Sequence, residues 1–182
     1  QPMLQAIASA ANFAYLGTRS PSVELLDAVS PALHVTQNTP PTFLWATAAD
    51  LGRGIGTGEI DPEALCEVYL AAIEAHPLRD RIYARVTADR ARAEAKAASA
   101  RAKAGQRRSP LDGVPVSWKD LFDTAGIATE AGTALMEGRV PERDAEVLRV
   151  ATSMGLVCLG KTHMSEIAFS GLGYNPITQT PP

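Results

Sequence analysis

Cysteine, aromatic residues and net charge are all scarce in this chain. Only two cysteines, Cys66 and Cys158, occur in 182 residues, too few for a disulfide framework to organise a fold. Cys66 falls in a helical pattern and Cys158 in an apolar strand-like run. Both are therefore expected to be buried, reduced thiols, and the chain is expected in the cytoplasm. Three histidines, His34, His76 and His163, are scattered with no HExxH pairing, so neither a metal site nor another cofactor is expected. The formal net charge is -3, which gives no strong pull toward nucleic acid or anionic membrane, and neither is expected as a partner. No apolar run approaches the roughly 18 residues that cross a bilayer. The mildly apolar Gln1–Leu16 lacks the basic start of a signal peptide.

What is present is an ordinary globular composition, 46% hydrophobic and 20% charged. The chain opens on Gln1 and closes on Thr180-Pro181-Pro182. Neither end resembles a natural boundary, and a piece of a longer protein is expected. Two units are expected, residues 1–46 and 47–182. In the first, Ser22–Val29 predicts a short helix ended by Ser30-Pro31, and Thr42–Trp45 predicts a buried strand after Pro40-Pro41.

The second unit alternates helix and strand. Asp61-Pro62 is an N-cap with proline at the first helical position. Leu65, Tyr69, Leu70 and Ile73 recur at helical spacing, and His76-Pro77 closes the element. Ile82–Val86 reads as a strand. Thr87 is expected to cap an alanine-rich helix running through Ala104 to Gly105. Arg90, Glu94, Lys96, Arg101 and Lys103 read as its solvated face. After the basic turn Gln106–Pro110, Val114–Trp118 predicts a strand and Ala145–Met154 a helix ended by Gly155. Leu156–Leu159 predicts a further strand ended by Gly160. The fold class expected is α/β, a partial mixed sheet with helices packed on it.

One run carries chemistry: Pro110-Leu111-Asp112-Gly113-Val114-Pro115-Val116-Ser117-Trp118-Lys119-Asp120. It resembles the amidase-signature segment PL-x-G-[VI]-P-x-x-[VI]-K-D. The resemblance continues through Thr129-Glu130-Ala131-Gly132-Thr133, Arg143–Val147 and Gly155–Glu166, and upstream through Leu51–Pro77. His163 and Ile167 stand where the family usually carries Asn and Phe. Residues 47–182 are thus similar to the front part of an amidase-signature hydrolase, a Ser–cis-Ser–Lys amidohydrolase. Residues of roughly 10–50, with Ser30–Asp50 at their core, instead resemble the late strand of an α/β-hydrolase-fold esterase. Asp50 falls at that family's triad-acid position, although no Gly-x-Ser-x-Gly elbow occurs. A fusion of two coding pieces would explain both resemblances.

The amidase resemblance implies hydrolysis of a small-molecule carboxamide without metal or organic cofactor. One serine attacks the carbonyl, and a second, in a cis peptide, relays its proton to a lysine base, which aligns with Lys119. An ammonium has no lone pair to accept a proton, so the amine must be neutral when it acts. The Gly/Ser-rich segments that supply both serines do not occur in this chain, nor do the oxyanion donors that come with them. Ser117, Ser165 and Ser170 read as turn or strand serines. Lys161 and Glu166 read as packing or ion-pair residues rather than a second acid–base pair. Gly52, Gly54 and Gly56 lack the strand and lysine of a phosphate cradle. The expectation is therefore an amidase unit inactive alone, with self-association through exposed sheet edges. The alternatives are an esterase piece with Asp50 as acid, and a non-catalytic binding or assembly module.

Overall fold

The computed structural model describes residues 48–180; the helix expected at Ser22–Val29 and the strand at Thr42–Trp45 lie outside them. Helix α1 spans Ala48–Thr57, α2 spans Pro62–Ala75, and the single turn α3 spans Arg79–Ile82. Strand β1 is Tyr83–Val86, helix α4 Ala88–Lys103 and strand β2 Pro115–Lys119. Helix α5, Glu146–Ser153, precedes strand β3, Val157–Thr162. Among the described residues, no helix is long and apolar enough to cross a membrane.

The helices begin and end for identifiable reasons. The Asp61 carboxylate accepts the Glu63 N–H at 2.8 Å, and Pro62 opens α2 where a missing N–H costs nothing. His76 takes extended geometry and closes it. Leu65, Cys66, Leu70 and Ile73 form the buried stripe of α2. Helix α4 buries Ala91, Ala95 and Ala98, and these small side chains let it lie close to its neighbours. Its Ala91 and Ala95 join Cys66, Leu70 and Ile73 of α2, and Val157 and Leu159 of β3, in one core cluster. A second cluster joins Leu51, Ile55, Ile60, Leu65 and Val114.

The sheet is mixed, in the order β1-β3-β2. β3 is central and almost wholly buried. It pairs antiparallel with β1 and parallel with β2, the latter register setting Trp118 opposite Lys161 and Lys119 opposite Thr162. The α/β class with a small mixed sheet is therefore the observed one.

Three local expectations are corrected. Thr87 occupies the N-cap position of α4 without capping it; its hydroxyl donates instead to the Cys158 carbonyl at 2.7 Å. Gly160 does not end β3 but lies within it. A Cβ there would sit 2.5 Å from the Arg85 carbonyl oxygen, so glycine is what lets β1 approach. The charged face of α4 is only partly solvated. Arg90 grips Asp144 at 3.0 and 2.9 Å, Glu94 accepts the Cys158 N–H at 2.7 Å, and Arg101 holds the fully buried Asp112 carboxylate at 2.8 and 2.7 Å. Long side chains at helical spacing look solvated in sequence whenever their partners lie far along the chain.

Both cysteines are buried and free. Burial pushes the Cys66 thiol up to about 11 and raises that of Cys158, as expected for packed, unreactive thiols.

Candidate active site

The candidate base sits at the C-terminal end of β2. Five residues of β-structure, Pro115–Lys119, deliver it, and the chain turns immediately afterwards, with the Phe122 N–H donating to the Lys119 carbonyl at 3.1 Å. Trp118 and Phe122 flank that turn edge to face, their ring centroids 5.5 Å apart. The Lys119 side chain is exposed. Among the described residues no hydrogen bond or ion pair reaches its amine. The ordinary partners are engaged elsewhere: Asp123 forms a two-pronged pair with Arg139 at 2.6 and 2.7 Å, and Asp120 turns inward.

Asp120 is the centre of a buried polar cluster. Its N–H donates to the Thr162 carbonyl at 3.0 Å, and its own carbonyl accepts the Ala131 N–H at 3.0 Å. Oδ2 accepts the Glu130 N–H at 3.0 Å and lies 3.4 Å from an Arg85 nitrogen. Oδ1 lies 3.2 Å from Lys161 Nζ. That approach is off the hydrogen-bond direction and leaves Oδ1 without a hydrogen bond, so the contact is an ion pair by charge rather than by hydrogen-bond geometry. Lys161, 0% exposed, donates to Thr129 Oγ1 at 2.8 Å. Burial pushes its ammonium below the usual lysine range, against the pull of the Asp120 charge. Arg85 reaches across from β1 to pair with Glu130. A pocket of about 100 Å³ opens beside the cluster, lined among others by Arg85, Asp120, Glu130, His163 and Met164.

The other sequence candidates fall into place around this cluster. The Ser117 and Tyr83 hydroxyls are 2.7 Å apart. Ser165 donates to the Ser170 carbonyl at 2.7 Å, and Ser170 Oγ accepts the Leu172 N–H at 3.2 Å. All three serines thus have structural partners. Glu166 accepts the Thr133 hydroxyl at 2.7 Å and does not meet Lys161. Gly52 and Gly54 are packing residues: added Cβ atoms would lie 2.1 Å from the Pro110 carbonyl oxygen and 2.5 Å from Ile60. Asp50 stands in the first turn of α1 and pairs with Arg53. The sequence does not mark Arg85 or Thr129 as site residues. Arg85 occurs in a short strand whose one-letter pattern shows no reason for a charge.

Two carboxyls away from this cluster contribute to the behaviour of the fold in acid. The Arg90 guanidinium holds the Asp144 carboxyl below its ordinary value, 3.8, against burial and with help from the Ala125 N–H. Burial alone would raise Asp112, but Arg101 and the Arg108 N–H outweigh it, and that carboxyl too lies low. A carboxyl with a depressed folded-state pKa stabilises the fold fully above its unfolded value, and this stabilisation is lost as pH falls through the folded pKa. The contribution of these two carboxyls is therefore expected to be complete from pH 7 to about 5 and to be lost below about 4, while His163, which burial holds below its ordinary value, removes some stability as pH falls through about 6. Urea midpoints across this range check it, and a midpoint unchanged at pH 3 contradicts it.

Comparisons with known proteins agree on one relationship. The amidase family model matches residues 64–182. A glutamyl-tRNA(Gln) amidotransferase subunit from Anaeromyxobacter dehalogenans is 44% identical over 126 residues, covering 69% of this chain and 26% of that protein. Native peptide amidase from Stenotrophomonas maltophilia superposes with a TM-score of 0.65 at 32% identity, over 78% of this chain and 30% of the other. A chain from an inhibitor-bound vestigial protein complex, described as revealing the origins of an s-triazine catabolic enzyme, superposes with a TM-score of 0.68 at 31% identity, over 74% and 30%. This chain spans about a quarter of the length of the curated relatives it matches.

Proposed function

The chain belongs to the amidase family, and from that premise we propose that it supplies the general base, Lys119, for hydrolysis of a small carboxamide. The observation that carries this reading is the position of Lys119, last residue of β2 and inside the family segment Pro110–Asp120. It ends a strand at the sheet margin, exposed, while the two aspartates that would ordinarily neutralise it serve Arg139, Arg85 and Lys161. In the complete reaction the serine oxygen bonds to the carbonyl carbon while Nζ takes its relayed proton; that proton passes to the leaving amine as the C–N bond breaks, and water then cleaves the acyl–serine ester to release the acid. Amide-acting relatives, including the peptide amidase, support this reaction class. Residues 1–46 are proposed to be a separate unit, since the family match begins at residue 64.

The proton-relaying serines are not in this chain, so the 182 residues alone are expected to give no turnover of aryl amides or esters. Purified chain is assayed by release of a chromogenic aniline. Hydrolysis that disappears in Lys119→Ala would overturn the assignment of the serines to other residues.

Self-association belongs to the same reading. Among the described residues β1 and β2 are the outer strands of the sheet, and Leu135, Phe169 and Leu172 stand more than four-fifths exposed. Open edges and apolar faces pair with other chains. Sedimentation at tens of micromolar is expected to show oligomers; a clean monomer would contradict it.

A further inference from the structure

A buried polar cluster centred on Asp120 begins one residue after Lys119. Side chains alternate along a strand, and the register sets Trp118 beside Lys161 but Lys119 beside Thr162. Lys119 and Lys161 therefore leave the sheet on opposite faces, and the residue after Lys119 returns to the face of Lys161. We propose that the buried Lys161–Asp120 pair is a positioning device: it clamps residue 120 on one face of the sheet and so fixes the backbone from which Lys119 projects on the other. The proposal rests on the reading of Lys119 as the base, and it makes Asp120 and Lys161 positioning residues, not catalytic ones.

The bonds converge as a clamp requires. Residue 120 is tied to β3 through the Thr162 carbonyl and to the strap at 129–131 through two N–H donors, Glu130 to its side chain and Ala131 to its carbonyl. Lys161 couples the same two elements, with its charge on Asp120 and its hydrogen bond on Thr129. Arg85 repeats the coupling from β1, touching both Asp120 and Glu130. Three strands and one loop thus meet within two residues of Lys119, whose own side chain is unrestrained. A rigid backbone under a free amine is the half of a preorganised site that one chain can build by itself. A buried pair is weak evidence for stability, and fixing a geometry is its better-attested use.

The test uses the full chain, with amide exchange and backbone order parameters read by NMR. Lys161→Met is compared with Leu148→Ala, a substitution in the fully buried residue of α5 that weakens the fold without touching the clamp. Lys161→Met leaves a buried carboxylate unpaired, so the neutral double variant Asp120→Asn/Lys161→Met is carried alongside in case the single variant does not fold. In either clamp variant, exchange at Asp120, Glu130 and Ala131 is expected to accelerate at least about tenfold relative to the most protected amides, with a fall in the order parameter of Lys119. Leu148→Ala is expected to leave those relative rates and that order parameter in place. Clamp variants that match Leu148→Ala at these positions overturn the proposal. The outcome is independent of whether Lys119 is the base: that reading fails only in an activity measurement with Lys119→Ala, and this one only in exchange and order.

Discussion

Replacing Asp112 by alanine is expected to destabilise the fold by about 3–5 kcal/mol, the cost of breaking one side of a buried pair. Asp112 has no exposed side-chain surface. It accepts two hydrogen bonds from Arg101 and one, at 2.8 Å, from the Arg108 N–H. These contacts bind the end of α4 and the turn after it to the segment that leads into β2. Gly155 completes the arrangement. It has φ of +92°, and an added Cβ would lie 2.1 Å from Asp112 Oδ1, so the carboxylate occupies space that only glycine leaves open. The alanine variant strands the Arg101 guanidinium and an N–H together, which is why the loss should exceed that of a surface ion pair, about 0–1 kcal/mol. Urea unfolding at pH 7 measures it. The double variant Asp112→Leu/Arg101→Met should recover part of the loss, because no unpaired charge remains. A loss below about 1 kcal/mol in Asp112→Ala would reduce Asp112 to the rank of a surface group.

Asp112 also marks the limit of what the sequence shows. The family segment is recognisable around it, and Asp112-Gly113 reads as the boundary of a strand. Its partnership with Arg101 is not readable, because the helix face carrying Arg101 looks solvated by every local criterion. Periodicity reports where apolar residues recur, so α2 is legible from Leu65, Leu70 and Ile73, whereas α4 is legible from its alanine run and α5 from the glycine that ends it. It says nothing of which charge bends inward to meet a distant partner. The same limit explains Gly160. Glycine after an apolar run signals a strand end, and only the neighbouring strand, through the Arg85 carbonyl, shows that glycine is there for close approach.

The proposal for Lys119 rests on a different kind of signal. A lone lysine carries almost no information, whereas Lys119 within a long ordered motif carries much more. Its surroundings are legible only in part. Asp120, Thr129 and Glu130 lie within the recognised segments, yet their convergence on Lys161 depends on strand register. A shift of one residue would send every one of these side chains to the opposite face.

The most direct measurement concerns Lys119 itself. Residues 48–182 would replace the matching quarter of the 44% identical amidotransferase chain, so that the rest of that protein is available to supply the proposed serines. The rate of amide hydrolysis is then compared between this chimera and its Lys119→Ala form, with matched thermal unfolding to confirm that both are folded. General-base catalysis is worth about 10²–10⁴ in rate, so Lys119→Ala is predicted to lower kcat by that factor. Lys119→Arg should do no better, since its guanidinium stays protonated at neutral pH. A folded Lys119→Ala chimera that hydrolyses amides within about twofold of the parent, far short of that factor, would contradict the assignment of Lys119 as the base.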